Sequence, residues 1–246
     1  MREFQPRAKE KWALLRRSDA SNTGLAMFVH GFRGNYLRTW GALSEYLEQH
    51  ADADPDLGGW DYVFIGYDTG DVKTYLDISA LICGAWRRAA AGDPPYHQRY
   101  DRLALFGHSL GTLGIRQALC ANSTHSADML QRLHSVTLFG SPLNGSPLAP
   151  FGSLFYPIGD ALKPESPQLR MLKAWCESSL SFLRWPKIRV VLGQGDWVVG
   201  QQFAELVQWP GDLQPTDQTV LNHSDLVKPE NWQNSCVMDY VRGALR

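Results

Sequence analysis

The sequence predicts an α/β fold in which a mostly parallel central sheet is flanked by crossover helices. Short, continuous apolar runs recur along the chain, as strands buried on both faces require. Stretches of helical periodicity separate those runs, so successive strands are expected to lie parallel and to be joined across the sheet. The chain has 246 residues and is 44% hydrophobic. That is ample for one sizeable core, and a single domain over residues 1–246 is the expectation.

The elements follow in order. Residues 1–22 read as an N-terminal arm: Met1 to Ser18 mixes Arg2, Arg7, Lys9 and Lys11 with Glu3 and Glu10. A loose arm, a leading strand and a short helix through Trp12, Leu14 and Leu15 all fit it. Strands are expected over 25–30, 62–67, 102–107, 135–139, 188–192 and 219–222. Helices are expected over 39–49, 71–91, 111–121 and 201–207, with a last one over 230–245 packing through Trp232, Val237, Tyr240 and Val241. Asp68 or Asp71 stands where the cap of the 71–91 helix belongs, and Tyr67 or Thr69 of the same turn could meet a substrate. Right-handed crossovers gather the loops after the strands at the carboxyl edge of the sheet.

One of those loops carries the strongest chemical signal. Gly107-His108-Ser109-Leu110-Gly111 fits G-x-S-x-G, with the apolar run Leu103-Ala104-Leu105-Phe106 before it and a helix-forming stretch after it. That strand–turn–helix setting is the one in which a serine is raised above the sheet edge as a nucleophile. The turn is too tight for bulky side chains two residues before and after the serine, and both positions are glycine. The Leu110 N–H would face a developing oxyanion. A second donor is expected from the loop after an early strand, and Leu25 to Val29 leads into His30-Gly31-Phe32-Arg33-Gly34. There the Phe32 N–H is the candidate, the alternative being that His30-Gly31 is only a turn.

A nucleophilic serine needs a base and an orienting acid. Ile188 to Leu192 breaks into Gly193-Gln194-Gly195-Asp196, which places Asp196 just past a late strand. Thr219-Val220-Leu221-Asn222 ends in His223. The candidate triad is therefore Ser109, Asp196 and His223. A turn-forming aspartate and a surface-loop histidine are the bland alternatives for the last two. His108 is expected to pack or bond beside the nucleophile, while His50, His97, His125 and His134 fall in polar or helix-end surroundings and are expected to be solvated.

Taken together, Phe28 to Phe32, the elbow, Gly140-Ser141-Pro142-Leu143-Asn144-Gly145-Ser146, Gly195-Asp196 and His223-Ser224-Asp225-Leu226-Val227-Lys228-Pro229 resemble an α/β-hydrolase of the lipase/esterase type. The resemblance is to a lipase-like serine esterase group that includes the serine-active-site-containing proteins and, more distantly, the GPI inositol-deacylase-like enzymes. It spans about Leu25 to Arg246. It implies an α/β-hydrolase fold, with a small cap or lid inserted after the strand that follows the elbow, over about residues 143–186. That insertion is rich in Phe151, Leu154, Phe155, Tyr156, Trp175, Phe182 and Trp185. An apolar cap would suit an acyl chain, the alternative being that these aromatics cover the sheet as core. Trp197, beside Asp196, either lines the same mouth or packs.

The expected activity is hydrolysis of carboxylic esters through an acyl-enzyme on Ser109, with a small-molecule ester or lipid as substrate. A thioesterase or acyltransferase would use the same triad. A non-catalytic binding protein on the same fold is the third reading, against which every catalytic position carries a competent side chain. A formal net charge of -1 gives no case for nucleic acid. Peripheral contact with a membrane surface is compatible with the sequence and not demanded by it, and nothing in the chain speaks to oligomeric state. No cofactor is implied, and no His/Cys/Asp cluster has metal-site spacing. The four cysteines, Cys83, Cys120, Cys176 and Cys236, are expected as free thiols, with Cys120 and Cys236 buried. With neither a secretory leader nor a run of roughly 20 apolar residues, a cytoplasmic location is the expectation.

Overall fold

The computed structural model describes residues 2–4, 11–16, 23–125, 128–147, 149, 156–178, 187–199 and 217–246. Its strands are β1 (Arg2–Phe4), β2 (Lys11–Arg16), β3 (Gly24–Val29), β4 (Trp60–Gly66), β5 (Arg102–His108), β6 (Leu133–Phe139), β7 (Lys187–Gly193) and β8 (Asp217–Thr219). Among the described residues they form one sheet in the order β1-β2-β4-β3-β5-β6-β7-β8. β1 and β2 are antiparallel to their neighbours, and every pair from β4 to β8 is parallel. Of the three forms open to the N-terminal arm, the leading strand is therefore the one adopted.

The helices are α1 (Leu43–His50), α2 (Tyr75–Ala91), α3 (Leu110–His125), α4 (Asp128–Gln131), α5 (Pro167–Ser178) and α6 (Cys236–Leu245), with single-turn helices at Arg38–Trp40 and Pro157–Leu162. Two cores lie on the two faces of the sheet. Leu25, Met27 and Val29 of β3 join residues of α2, α3 and α5, while Ala26 and Phe28 join residues of α1 and α6. This alternation explains why the central strands read as continuous apolar runs: both of their faces are covered. In the second core Phe28 lies in register with Phe64 of β4 and Phe106 of β5. The three rings stack at centroid distances of 4.7 and 4.5 Å. Each such pair adds about 0.5–1.5 kcal/mol beyond its buried area, which fixes the register of the strands that carry the site.

Several boundaries differ from expectation for identifiable reasons. The 39–49 helix is interrupted where Gly41 takes φ 59°, leaving a short turn at Arg38–Trp40 and α1 after it. Neither Asp68 nor Asp71 caps α2. Thr74 does, its hydroxyl accepting the Leu76 N–H at 3.2 Å while Asp77 accepts the Thr74 N–H at 3.0 Å. The last helix begins at Cys236, and Trp232 precedes it, packed against His50 and beneath the Arg242 guanidinium. The strand expected over 219–222 is Asp217–Thr219 instead, and Val220 beyond it is 82% exposed.

His50 and His134 are not freely solvated, since each ring packs on a tryptophan, whereas His97 is exposed. The four cysteines are free thiols, but Cys176 is the buried one, Cys120 is half-buried and Cys236 is exposed. The helix expected over 201–207, Phe151, Leu154, Phe155, Phe182, Trp185 and the His125 side chain lie outside the described residues.

The described part of the 143–186 insertion is built into a core layer. Leu169 and Leu172 of α5 are buried in the first core, and buried Arg116 of α3 donates to Cys176 Sγ at 3.4 Å. No helix among the described residues is long and apolar enough to cross a membrane.

Candidate active site

The strand order reverses at β3, which leads to β4 on one side and has β5 on the other. In open α/β sheets this is where a crevice opens at the carboxyl edge. The loops after β3 and β5 flank it. β5 ends at His108 and α3 begins at Leu110, so Ser109 alone makes the turn, with φ 51°. A non-glycine residue in this region costs on the order of 1 kcal/mol or more and persists only where its surroundings hold it. Here the Ser109 N–H donates to the Phe139 carbonyl at 2.8 Å. The Ser109 carbonyl accepts the Thr112 N–H at 2.9 Å and the Thr112 hydroxyl at 2.6 Å. A methyl group on Gly111 would overlap the carbonyl oxygens of Val29 and His30, so the elbow rests directly on the end of β3.

The loop after β3 meets the elbow from the other side. A Cβ on Gly31 would sit 2.6 Å from Ser109 Cβ, so only glycine allows this approach. Residues 31–34 form a turn closed by the Gly34 N–H on the Gly31 carbonyl at 3.1 Å. Arg33 takes φ 52° within it, and its N–H is fixed by the Thr69 hydroxyl at 2.8 Å. The Phe32 ring is half-buried and meets Tyr156 edge-on at 5.0 Å, which brings the insertion to the site. The Leu110 N–H, first in α3, has no intrahelical acceptor. Among the described residues neither it nor the Phe32 N–H donates to another protein group.

His30 anchors this loop. The Tyr67 N–H donates to His30 Nε2 at 3.1 Å, so His30 Nδ1 carries the proton and donates to the Gly31 carbonyl at 2.8 Å. The Tyr67 hydroxyl donates to the His30 carbonyl at 2.7 Å, and the rings stack at 4.2 Å. Burial holds the His30 pKa below its ordinary value and raises that of Tyr67. Both are neutral braces, and the Tyr67 and Thr69 side chains are committed to the loop.

Asp196 and His223 come together as the sequence predicts, with His223 Nδ1 2.7 Å from Asp196 Oδ2 and both side chains largely buried. The other carboxylate oxygen accepts the N–H groups of Val198 at 3.1 Å and Val199 at 3.0 Å. Burial alone would raise the Asp196 pKa. The His223 hydrogen bond and charge, with the two backbone N–H groups, outweigh it and hold the carboxyl below its ordinary range. An ionised Asp196 therefore fixes the Nδ1–H tautomer of His223 and leaves Nε2 as the proton acceptor.

His223 reaches the elbow through His108, whose Nε2–H donates to the His223 carbonyl at 2.9 Å with the rings 4.8 Å apart. Burial, helped by the nearby His223, pushes the His108 pKa down to about 3, so this ring stays neutral. Gly140, at φ 57°, lies beneath the pair: a Cβ there would come within 3.0 Å of His223 Nδ1 and 3.2 Å of Asp196 Oδ2. The Gly140–Ser146 segment has a structural role that its sequence alone does not announce. It braces the acid loop, because the Ser146 hydroxyl donates to the Val198 carbonyl at 2.6 Å. Trp197 does not pack and is 68% exposed. Among the described residues no cluster of three or more His, Cys, Asp or Glu side chains could hold a metal ion.

The sheet order and the serine turn after β5 define an α/β-hydrolase. Similar folds include a Legionella pneumophila phospholipase solved with thio-NAD, 22% identical, at a TM-score of 0.55 over 76% of this chain. A mature Bacillus licheniformis lipase, 16% identical, aligns at 0.58 over 88% of this chain and 92% of its own. An Aspergillus fumigatus lipase, 12% identical, aligns at 0.62 over 87% of this chain and 52% of its own. The chain spans 41% of the Legionella phospholipase, so these likenesses establish the fold and no more. No curated protein matches the chain. The chain belongs to the family described as "Putative serine esterase (DUF676)", which matches residues 19–146, just over half of its length. Membership of that family supports a serine hydrolase of ester substrates.

Proposed function

We propose that this protein hydrolyses carboxylic esters through Ser109, His223 and Asp196. The observation that carries the proposal is the charge-assisted His223–Asp196 bond at 2.7 Å, tied by His108 to an elbow serine held at φ 51°. His223 Nε2 takes the Ser109 hydroxyl proton as Oγ attacks the ester carbonyl. The N–H groups of Phe32 and Leu110 receive the oxyanion. Collapse expels the alcohol, which leaves with the proton from His223. A water then gives its proton to His223 and attacks the acyl-serine, and the acid is released as Ser109 regains its proton. Within a single domain, the part of the insertion around Tyr156, whose ring meets Phe32, acts as the cap, while α5 belongs to the core. The exposed Trp197 and Val220, on the loops that carry Asp196 and His223, suit a lipid-like ester or the surface that supplies one.

The test is turnover of p-nitrophenyl esters from acetyl to palmitoyl length by wild type and Ser109→Ala, with fluorophosphonate labelling beside it. Wild type should turn over at least one chain length and label at Ser109, and the variant should lose about three orders of magnitude or more in kcat. Absence of turnover and labelling in a folded wild type would overturn the proposal.

A further inference from the structure

Beside the Phe32–Gly34 turn lies an open cavity of about 280 Å³ whose lining includes Lys11, Arg33, Arg38, Asp68, Thr69 and Tyr156. Its charge is unbalanced. Lys11 pairs with Asp68 at 3.6 Å, while neither Arg33 nor Arg38 has an ion-pair partner among the described residues. Three cations against one carboxylate leave two positive charges in excess, on a chain whose formal net charge is -1. The excess is thus local to this cavity.

The backbone at both exposed arginines is held in place. Arg33 is held at φ 52° by its N–H on the Thr69 hydroxyl, and the Arg38 N–H donates to Asn35 Oδ1 at 3.0 Å. Arg33 directly follows Phe32, so its Cα stands about 3.8 Å from that of the residue whose N–H we assign to the oxyanion. Tyr156 also lines the cavity and meets the Phe32 ring edge-on at 5.0 Å, so an anion there would lie beside the oxyanion loop. Planar guanidinium forks match the oxygens of a phosphate, and a phosphate monoester carries the charge to match two unpaired arginines.

We infer that the Arg33–Arg38–Lys11 cavity binds a phosphate monoester, so that the favoured substrates are acyl esters carrying a phosphate beside the scissile bond. This rests on the ester-hydrolase reading above and names the substrate class of that site.

The test compares dihexanoyl phosphatidic acid with dihexanoylglycerol, which share acyl groups and differ in the phosphate. The ratio of their kcat/KM values should be at least about tenfold in favour of the phosphate ester. It should fall by at least about tenfold in Arg33→Gln/Arg38→Gln. A ratio near one in wild type, or one unchanged in a folded double variant, would overturn the inference. If the double variant does not fold, Arg38→Gln alone and the salt dependence of the wild-type ratio replace it. Sodium chloride should then lower the ratio, and a salt-independent ratio unchanged in Arg38→Gln would overturn the inference.

Inorganic phosphate separates the sources of the anion. Competition only against phosphatidic acid assigns the site to the substrate's own phosphate. A saturable effect on dihexanoylglycerol turnover, lost in the double variant, assigns it to free phosphate and overturns the substrate preference. If neither ester is turned over and Ser109 does not label, the ester-hydrolase reading fails on its own. Calorimetric titration with inorganic phosphate then decides the cavity: binding lost in the double variant keeps the anion site, and no binding to wild type removes it.

Discussion

Replacing Asp196 by Asn tests the proposed mechanism at one proton. The two carboxylate oxygens have different partners: Oδ1 accepts the N–H groups of Val198 and Val199, and Oδ2 accepts His223 Nδ1–H at 2.7 Å. An asparagine fits the same space but must choose which atom faces which partner. Turning its NH₂ toward Val198 and Val199 would leave buried backbone donors unpaired, at about 1–3 kcal/mol each. The amide oxygen therefore takes the Oδ1 place and the NH₂ faces His223. A donor now meets Nδ1, so the imidazole proton moves to Nε2, which can no longer accept the proton of Ser109. With geometry kept and the tautomer wrong, kcat for a p-nitrophenyl ester should fall by about 10⁴. Stability should change little, because a charge-assisted bond is replaced by a neutral one, a difference of about 1 kcal/mol or a few degrees in Tm. A folded Asp196→Asn enzyme with kcat within tenfold of wild type would refute the assignment of Asp196.

Two further outcomes follow from the packing around the elbow. Gly31→Ala places a methyl 2.6 Å from Ser109 Cβ, so the loop must shift by about 1 Å to reach ordinary contact. That displacement withdraws the Phe32 N–H and should lower kcat by about 10²–10³ while Ser109 still labels, and unchanged kcat in steady-state assays would remove the loop from the oxyanion site. On pH, burial keeps the His30 pKa low and that of His108 near 3, whereas both titrate near 6.5 when unfolded. As pH falls below about 6.5 the unfolded chain binds protons that the folded protein does not. Stability should then drop by up to about 1.4 kcal/mol per pH unit for each ring. Urea midpoints between pH 7.5 and 4.5 measure this, His108→Gln should flatten the slope, and a flat wild-type profile would refute the buried-neutral assignment.

The elements that were legible in the sequence are those whose physics is local. β3, β4, β5, β6 and β7 were placed to within two residues, because strands covered on both faces must be apolar throughout. The elbow was legible because its glycines answer to the turn itself. β8 misled, since Val220-Leu221 is apolar yet the pairing with β7 is made by the polar Asp217–Thr219. The start of α2 is written in Thr74-Tyr75-Leu76-Asp77, a capping box with Asp in place of the usual Glu, and Asp68 and Asp71 lie outside it. Leu14 and Leu15 of β2 face opposite cores, so their run has no period of two and reads equally well as a helix turn. The bond from His108 to the His223 carbonyl joins residues 115 positions apart, and nothing in the elbow forecasts it.

What sets the distance between nucleophile and acid is the end of β6. Phe139 accepts the Ser109 N–H at 2.8 Å, and the next residue, Gly140, donates to the Val191 carbonyl at 2.8 Å. The single peptide group between Phe139 and Gly140 thus ties the elbow after β5 to the acid strand β7, while Gly140 supplies the space in which His223 and Asp196 meet. Ser109 similarly rests on Gly31 at the end of β3. The backbone that carries the proposed catalytic side chains is therefore positioned by strand register and backbone contact. An arrangement of that kind is organised before substrate arrives, which is the condition under which hydrogen-bond donors and a fixed base lower a barrier most. On this account the glycine that opens Gly140–Ser146 belongs to the reaction as much as the elbow does, though it touches no substrate.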